Sequence, residues 1–425
     1  MGVYMDALLP MCSCRMERAR IPRVTSQMAE DSHVDFSSAL TYPSMCLIET
    51  QGGSLRKSRF HSTAVMLMKI HRATRLYEAW LAKQIHLVPI DLALKHKLMK
   101  RDAFLFFRST FYRWMQVWPE VCLDVVTAPL LLAIGDAHVE NFGTWRDSEG
   151  RLIWGINDFD EAYPLPYTND LVRLAVSATL ATDTKQLAIK PKAACDALLT
   201  GYTEGLNSGG RPFVLAEEHW WLRDIATNAL RDPVKFWENM EALPPVKGAV
   251  PHSVRVALDH LMLESGLSYR LKRRVSGLGS LGRPRFIALA DWQGGKIARE
   301  AKALGLSACV WAGAHDGPDT IFYQSILDQA VRGHDPFVRV QGGWLVRRLS
   351  PYCSRIELAT LPRKRDEAHL LYAMGRETAN VHLGTHKAIR AIQRDLATRK
   401  PQWLNRAAKQ MASVMISDWT EWRKT

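Results

Sequence analysis

One stretch, residues 134–170, places acidic and amide side chains directly after short apolar segments. It reads IGDAHVENFGTWRDSEGRLIWGINDFDEAYPLPYTND. An apolar run over 128–134 leads into Asp136, and a second predicted strand over 151–156 leads into Asp158. The end of a buried strand exposes such carboxylates, while the neighbouring strands fix their position. This placement predicts a site for chemistry or for metal binding.

The spacing of these side chains matches what phosphoryl transfer needs in kinase-like folds. Five residues separate Asp136 from Asn141, and seventeen separate Asn141 from Asp158. The longer interval accommodates two short strands joined by a turn over 147–150. Kinase-like folds use one Asp to accept the hydroxyl proton, an Asn to hold a metal ion and a second Asp to hold metal against the phosphates. Both intervals resemble the catalytic segment of aminoglycoside and choline kinases, in which a further Asp follows at the position of Asp170.

Each residue of the segment thus receives a predicted role. Asp136 is the predicted base, and Asn141 and Asp158 are the predicted ligands of Mg²⁺. Asp160 is an alternate or supporting metal ligand, and His138 is a catalytic-loop residue that orients the loop.

A purely structural interpretation of the same residues stays open. Asp and Asn also favour turns and helix caps, and Asp170 precedes an apolar helical segment as an N-cap would.

A second motif, GLGSLG over 277–282, has G-x-G-x-x-G spacing. A dinucleotide fold would open a helix at such glycines, whereas here a proline and an alternating apolar segment follow and predict a strand. Strand, glycine turn and strand is the arrangement by which kinases lay backbone amides over nucleotide phosphates. Gly277, Gly279 and Gly282 are therefore predicted to cover the phosphates of ATP, and a glycine-rich hairpin without a ligand is the alternative.

A kinase also needs a cation against the phosphates, and the predicted strand after the glycines offers three. The candidates are Lys296, Arg299 and Lys302, with Glu300 placed to orient one of them. Arg299 would bind phosphate as a planar fork, whereas Lys would bind it as a point charge.

The net charge of +13 favours an anionic ligand without choosing among nucleotide, phosphorylated metabolite and nucleic acid. The densest basic cluster lies at 270–274, and a predicted strand in 344–358 adds Arg347 and Arg348. The structural alternative for the first cluster is a solvated strand edge. The sequence has no helix-turn-helix or zinc-finger signature, so nucleic acid has only the net charge in its favour.

Membrane association and secretion find no support in the sequence. No apolar run approaches the 18 residues of a membrane span, and the seven cysteines are dispersed without metal-ligand spacing. This pattern predicts a cytoplasmic protein with reduced thiols and no membrane partner.

Several motifs together resemble one bacterial family, the domain of unknown function 2252 family: FFRSTFYRW, GDAHVENFGTW, INDFDEAYPLPYTNDLVRLA, GLGSLG and AREAKAL. The resemblance runs from about residue 66 to the C-terminus and is most specific over 134–178. The family name carries no activity, but its motifs are similar to those of kinase-like phosphotransferases. In ordinary kinases the glycine loop precedes the catalytic Asp, whereas here Gly277 follows Asp136, as after a circular permutation.

The predicted fold is α+β, a two-lobed core like that of protein kinases and aminoglycoside phosphotransferases, in permuted order and with many helices. Residues 1–65 are predicted to be a poorly ordered leader or a mis-assigned start. Residues 66–270 form a predicted helical lobe that carries the catalytic segment 134–170. Residues 271–365 form a sheet-rich lobe with the glycine motif, and residues 366–425 form C-terminal helices.

The predicted activity is phosphoryl transfer from ATP, with Mg²⁺, to the hydroxyl of a small molecule or a protein. The acceptor is not specified by the sequence. Three alternatives remain: a nucleotide-binding protein without turnover, a metal-dependent phosphoester hydrolase centred on Asp136 and His138, and a basic nucleic-acid-binding protein. A two-metal phosphoesterase would need further Gly-Asp and Gly-Asn-His segments, which the chain lacks.

Overall fold

The computed structural model describes residues 68–184, 186–215, 218–226, 232–313, 319–353 and 366–424. The predicted leader, 1–65, lies outside these residues. The described part is a mixture of helices and small antiparallel sheets, which confirms the α+β class. The helices are α1 (Ile70–Leu81), α2 (Pro89–Met99), α3 (Ala103–Ser109), α4 (Phe111–Val121), α5 (Tyr167–Asp183), α6 (Pro191–Asn207), α7 (Trp220–Ala226), α8 (Pro233–Glu241), α9 (His252–Asp259), α10 (Ala308–Trp311), α11 (Tyr323–Gln329), α12 (Glu367–His382), α13 (His386–Thr398) and α14 (Trp403–Trp422). The strands are β1 (Leu130–Ala133), β2 (Phe142–Arg146), β3 (Leu152–Ile156), β4 (Tyr163–Pro166), β5 (Phe213–Val214), β6 (Arg270–Arg273), β7 (Arg285–Trp292), β8 (Gly295–Ala303), β9 (Val338–Gln341) and β10 (Trp344–Leu349).

The aromatic composition of segment 101–118 suggests a single buried helix, but the structure has two helices there, α3 and α4. Thr110 separates α3 from α4 with φ −128° and ψ 41°, outside the helical region. Its hydroxyl donates to the carbonyl of Phe106 at 2.8 Å, one turn back, and so competes with the helical backbone pattern. The break turns the chain between two buried aromatic helices.

The strands of the catalytic segment form two small sheets. β2 pairs with β3, and the predicted turn between them closes with a hydrogen bond from Gly150 N to the Asp147 carbonyl at 3.0 Å. β1 pairs with β4. Asp136 follows the end of β1, and Asp158 follows the end of β3, so the predicted acidic residues lie just past these two strands.

The largest sheet has five antiparallel strands in the order β6-β7-β8-β10-β9. α9 packs on one of its faces through Val254, Ala257 and Leu258. The other face is apolar at one end, where Met240 of α8 packs against it. At the opposite end of that face the register places Arg285 beside Lys302, so this end is charged.

Close packing joins α6 and α12, as the small residues over 373–382 predict. A Cβ on Gly201 would lie 2.0 Å from the carbonyl oxygen of Tyr372, so only glycine allows this approach. His382 is buried, and its Nδ1 lies 2.8 Å from the hydroxyl of Tyr202.

The predicted division into lobes remains a prediction, although the strands of the large sheet fall within Arg270–Leu349. No helix in the described part of the chain has both the length and the apolar character of a membrane span.

Candidate functional site

A cavity of about 550 Å³ lies where the ends of β1 and β3 meet the charged end of the five-stranded sheet. Its lining includes Asp136, Asn141 and Asp158 together with Gly277 and Gly279. The volume falls within the usual range of small-molecule sites, about 300–1,000 Å³. The structure therefore brings together two motifs that are more than a hundred residues apart in the chain.

A buried arginine holds the carboxylate of Asp136. Arg173, on α5, donates to Asp136 Oδ1 from Nε at 2.7 Å and from Nη2 at 2.5 Å. Its guanidinium lies 4.1 Å from the centroid of the Phe107 ring, and its side chain is fully buried. Burial raises the pKa of Asp136, and the positive charge of Arg173 opposes that rise. The other oxygen, Oδ2, faces Gly279: a Cβ placed there would lie 4.0 Å away.

Asp170 fixes the turn that carries the predicted base. Its carboxylate accepts hydrogen bonds from the backbone N–H groups of Ile134 at 2.7 Å and Gly135 at 3.0 Å. The Nε2 atom of His382 lies 2.9 Å from it. The N-cap alternative for Asp170 is wrong, because α5 already begins at Tyr167 and Asp170 lies inside its first turn.

Asn141 ties the two carboxylate loops together. Its Nδ2 donates to the backbone carbonyl of Asp158 at 2.8 Å and to that of Asp136 at 3.4 Å. Its own carbonyl accepts a hydrogen bond from Asn157 N at 2.9 Å. These bonds leave the amide oxygen, which has no hydrogen-bond donor among the described residues.

Lys302 joins the sheet to the metal-ligand candidates. Its ammonium group lies 3.2 Å from both carboxylate oxygens of Asp158 and 2.5 Å from Asp160 Oδ1. The Lys302 side chain is 1% exposed, whereas that of Asp158 is 40% exposed toward the cavity.

The two carboxyl groups respond to this arrangement in opposite directions. Burial opposes ionisation of Asp158, but Lys302, a hydrogen bond from Asp160 and the nearby arginines outweigh it and lower its pKa. Burial and the charge of Asp158 raise the pKa of Asp160. Asp158 is therefore the ionised, cavity-facing carboxylate of the pair.

The structure does not bring the other two predicted cations to this point. Lys296 lies at the far end of β8, where its ammonium group contacts Glu241 at 2.8 Å and Asp291 at 2.9 Å. Arg299 lies on the opposite face of the sheet, with its guanidinium 4.3 Å from the Phe337 ring. Successive residues of a strand point to opposite faces, so Arg299 and Lys302 cannot share a face.

Glu300 does not orient a lysine, as predicted, but lies among three arginines. Its buried carboxylate contacts Arg274 at 2.9 Å, Arg285 at 3.0 Å and Arg347 at 2.8 Å. We call Arg274, Arg285 and Arg347 the arginine trio. Burial opposes ionisation of Glu300, but the trio outweighs it and lowers its pKa well below the usual range. All three arginines also line the cavity.

The segment 274–284 joins β6 to β7 and forms the glycine loop. It contains one short 3-10 turn, Leu278–Ser280, preceded by Gly277 with φ +75°. A Cβ on Gly279 would lie 3.0 Å from the carbonyl oxygen of Arg108, so the loop passes close to α3. The predicted order of strand, glycine turn and strand is confirmed.

Helix α2 fastens the glycine loop at two points. Val88 N, just before α2, donates to the Gly282 carbonyl at 2.8 Å, and Gly282 packs against Leu92. Lys95 donates from Nζ to the Gly279 carbonyl at 3.0 Å, and burial lowers the pKa of this lysine to about 8. Gly282 thus anchors the loop to α2, while Gly277 and Gly279 line the cavity.

His138 lies at the edge of the cavity with a largely buried side chain. Its carbonyl accepts the hydrogen bond of Asn141 N at 2.7 Å, which closes the loop after the predicted base. Glu140, in the same loop, forms a buried ion pair with Arg108. The catalytic part of the role assigned to His138 stays a prediction.

The oxygen donors of Asn141 and Asp158 fit a magnesium ion. Mg²⁺ in nucleotide sites uses one or two carboxylates and completes its shell with phosphate oxygens and water. Among the described residues, no group of three or more His, Cys, Asp or Glu is arranged to hold a metal ion.

Arg173 and Lys95 are among the contributors to the site that were not predicted from the sequence. Arg173 interrupts the apolar segment LVRLAV, and a charged residue at a buried helical position signals an acidic partner. Lys95 lies in a helix with ordinary polar residues, and nothing in that pattern points to the glycine loop.

Among known proteins, one family matches part of the chain. The family described as an uncharacterized protein conserved in bacteria, domain of unknown function 2252, matches residues 87–230. No curated protein and no solved structure shows significant similarity to the chain. The matched residues contain the whole 134–170 segment, whereas the glycine loop and Lys302 lie beyond them. Over residues 87–230 the chain matches the domain of unknown function 2252 family, as its motifs predicted.

Proposed function

We propose that this protein is an ATP- and Mg²⁺-dependent phosphotransferase with a two-lobed, kinase-like core in permuted order. Its acceptor is the hydroxyl of a small molecule or a protein. The observation that carries the proposal is the meeting of Asp136, Asn141, Asp158 and the glycine loop around one cavity, with the buried Lys302 holding Asp158 from behind. Phosphoryl transfer depends on positioning and charge neutralisation, which these groups can supply.

The proposed base is Asp136. Arg173 holds one of its oxygens, and the second faces the glycine loop, where an acceptor hydroxyl would meet the terminal phosphate. The acceptor oxygen forms a bond to the terminal phosphorus, the bond from that phosphorus to the bridging oxygen breaks, and the hydroxyl proton moves to Asp136. A pKa raised by burial suits a carboxylate that must take up a proton.

Asn141 and Asp158 are the proposed holders of Mg²⁺, which would neutralise charge on the phosphates. Lys302 contacts the carboxyl groups of Asp158 and Asp160 and holds both against the sheet. Because Asp158 stays ionised there, the oxygen it presents to the cavity remains a ligand at neutral pH.

The direct test is transfer of the terminal phosphate from labelled ATP to pools of hydroxyl acceptors, with release of ADP as the second readout. Wild type and Lys296→Gln should transfer phosphate, whereas Asp136→Asn and Asp158→Asn should lose it by a factor of about a hundred or more. Lys296 is the matched control because it lies on β8 outside the cavity lining, and its ammonium group contacts Glu241 and Asp291 instead of Asp158.

A binding measurement separates the metal site from turnover. Ligand bound to the native state raises the melting temperature by mass action. Adding Mg²⁺ to ATP should increase the shift in wild type but not in Asp158→Asn. Equal Mg²⁺ responses in both proteins, together with no transfer to any acceptor pool, would count against the phosphotransferase.

A nucleotide-binding protein without turnover is the second candidate. The observation in its favour is the ion pair that occupies one oxygen of Asp136. It predicts metal-enhanced ATP binding with no ADP release, and an Asp136→Asn variant that binds ATP as wild type does.

A further inference from the structure

The arginine trio has more positive charge and more hydrogen-bond donors than its one carboxylate partner, Glu300, can satisfy. Three guanidinium groups approach one carboxylate, that of Glu300, which neutralises one of their three positive charges, and two of the three also act on the nearby Asp158. Each guanidinium carries five N–H donors, whereas a carboxylate offers about four acceptor positions in all. Most of the donors of the trio are therefore available to another anion.

The side chains of the trio are held at the cavity rather than spread into solvent. The side chains of Arg274 and Arg347 are 24% and 21% exposed, and that of Arg285 is 4% exposed. The Nε of Arg285 is buried and has no hydrogen-bond partner among the described residues. Arg274 and Arg347 are the members of the trio with accessible side-chain surface, so an anion in the cavity would accept charge-assisted hydrogen bonds mainly from these two.

The glycine loop begins at Arg274 and contacts Arg285 of the trio. A Cβ on Gly277 would lie 2.8 Å from Nη2 of Arg285, and the hydroxyl of Ser280 contacts the same guanidinium. The backbone N–H groups of Gly277, Leu278 and Gly279 donate no hydrogen bond within the described residues, as expected at the start of a 3-10 turn. Loop amides and arginines thus border the same part of the cavity.

We infer that the arginine trio and the glycine loop form a polyphosphate site that binds its anion without a metal ion. Arg274 lies in the glycine loop just after β6, Arg285 begins β7 and Arg347 lies on β10, and all three line the cavity, where they can contact the phosphate groups of one polyphosphate. This inference rests on the proposed function and deepens it, since the bound anion would be the polyphosphate group of the nucleotide. It differs from that function in one respect: Mg²⁺ would be needed for transfer but not for binding of the phosphates.

Lys302 is not a member of this site. Its ammonium group contacts the carboxylates of Asp158 and Asp160, which lie in the loop between β3 and β4. The phosphates would therefore meet the trio first, and the metal ion would join at Asp158.

The test is binding of inorganic tripolyphosphate in the presence of EDTA, measured by calorimetry and by the shift in melting temperature. Wild type and the control Lys296→Gln should bind it equally, and more tightly than inorganic orthophosphate. Arg274→Gln and Arg347→Gln should each weaken binding by about tenfold or more, since each loses charge-assisted hydrogen bonds. Melting temperatures without ligand show that each variant is folded, and Arg274, outside the strands, provides the variant least coupled to the sheet.

Two results would overturn the inference. Equal affinity in wild type, Arg274→Gln and Arg347→Gln would mean that the anion binds elsewhere on a chain of net charge +13. Binding that appears only after Mg²⁺ is added would mean that the metal, not the trio, holds the phosphates. Metal-free binding without any phosphoryl transfer would support this site and contradict the phosphotransferase. Phosphoryl transfer without metal-free binding would support the phosphotransferase and contradict this site.

Discussion

Replacing Lys302 by Met removes one buried charge and keeps the length and apolar stem of the side chain. In the native structure its ammonium group lies 3.2 Å from both oxygens of Asp158 and 2.5 Å from Asp160 Oδ1. The variant therefore leaves two neighbouring carboxylates without the cation between them.

The expected loss of stability follows from this geometry. Removing one partner of a buried ion pair costs about 3–5 kcal/mol in the free energy of unfolding. Asp158 is 40% exposed, so water screens its share, and we expect the lower end of the range, about 3 kcal/mol. That is a large fraction of the stability of a typical domain.

The pH dependence identifies the charge as the cause. In wild type, Lys302 and its neighbours hold the pKa of Asp158 below its ordinary value. The stabilisation is present above the ordinary Asp pKa of about 3.9 and is lost as the pH falls through the lowered value. Lys302→Met removes most of that stabilisation, so the difference between the two proteins should be largest near pH 7 and shrink below about pH 4.

The assay is urea unfolding followed by tryptophan fluorescence at pH 7 and at progressively lower pH. The control is Lys296→Met, which should unfold as wild type does. Lys296 lies on the same strand as Lys302, at the other end of β8, and pairs with Glu241 and Asp291. Equal stability of Lys302→Met and wild type at pH 7 would refute the reasoning. A loss of the same size at every pH would assign the effect to packing instead of charge.

Three further predictions concern other groups. Arg173→Met leaves Asp136 buried without its cation, so the pKa of Asp136 should rise further and the acidic limb of a phosphotransfer pH profile should move to higher pH, which a pH–rate series would show. Burial raises the pKa of Glu161 to about 7, so this group stabilises the fold below its ordinary pKa and the contribution is lost as pH rises toward 7; Glu161→Gln should flatten the fall in melting temperature between pH 5 and 8. Gly279→Ala brings a methyl group to 3.0 Å from the Arg108 carbonyl, and calorimetry should find weaker tripolyphosphate binding with a loss of only about 1 kcal/mol in unfolding free energy.

The sequence by itself determined the local elements of the site. The spacing of Asp136, Asn141 and Asp158 reflects two short strands and a tight turn, which neighbouring residues specify. The glycine motif followed by a proline excluded a helix start, and the structure has strands on both sides of it. These inferences succeed because strand alternation and turn chemistry are properties of adjacent residues.

The tertiary structure decided which charges meet. Strand alternation separates Arg299 from Lys302, but only the packing of α9 shows which face turns away from the cavity. The arginine trio comes from the glycine loop and two different strands, and antiparallel register places Arg347 opposite Glu300. Long-range pairing is set by the burial of whole faces, and no window of adjacent residues contains that information.

Asp136 shows both levels in one residue. Its position after a buried strand was evident from the sequence, and so was its chemistry as a candidate base. Its partner Arg173 and the shift of its pKa depend on α5 lying against the turn, which Asp170 fixes through the backbone of Ile134 and Gly135. The chain therefore specifies the reactive group locally, and the fold sets its charge state, because burial and neighbouring charges act through space.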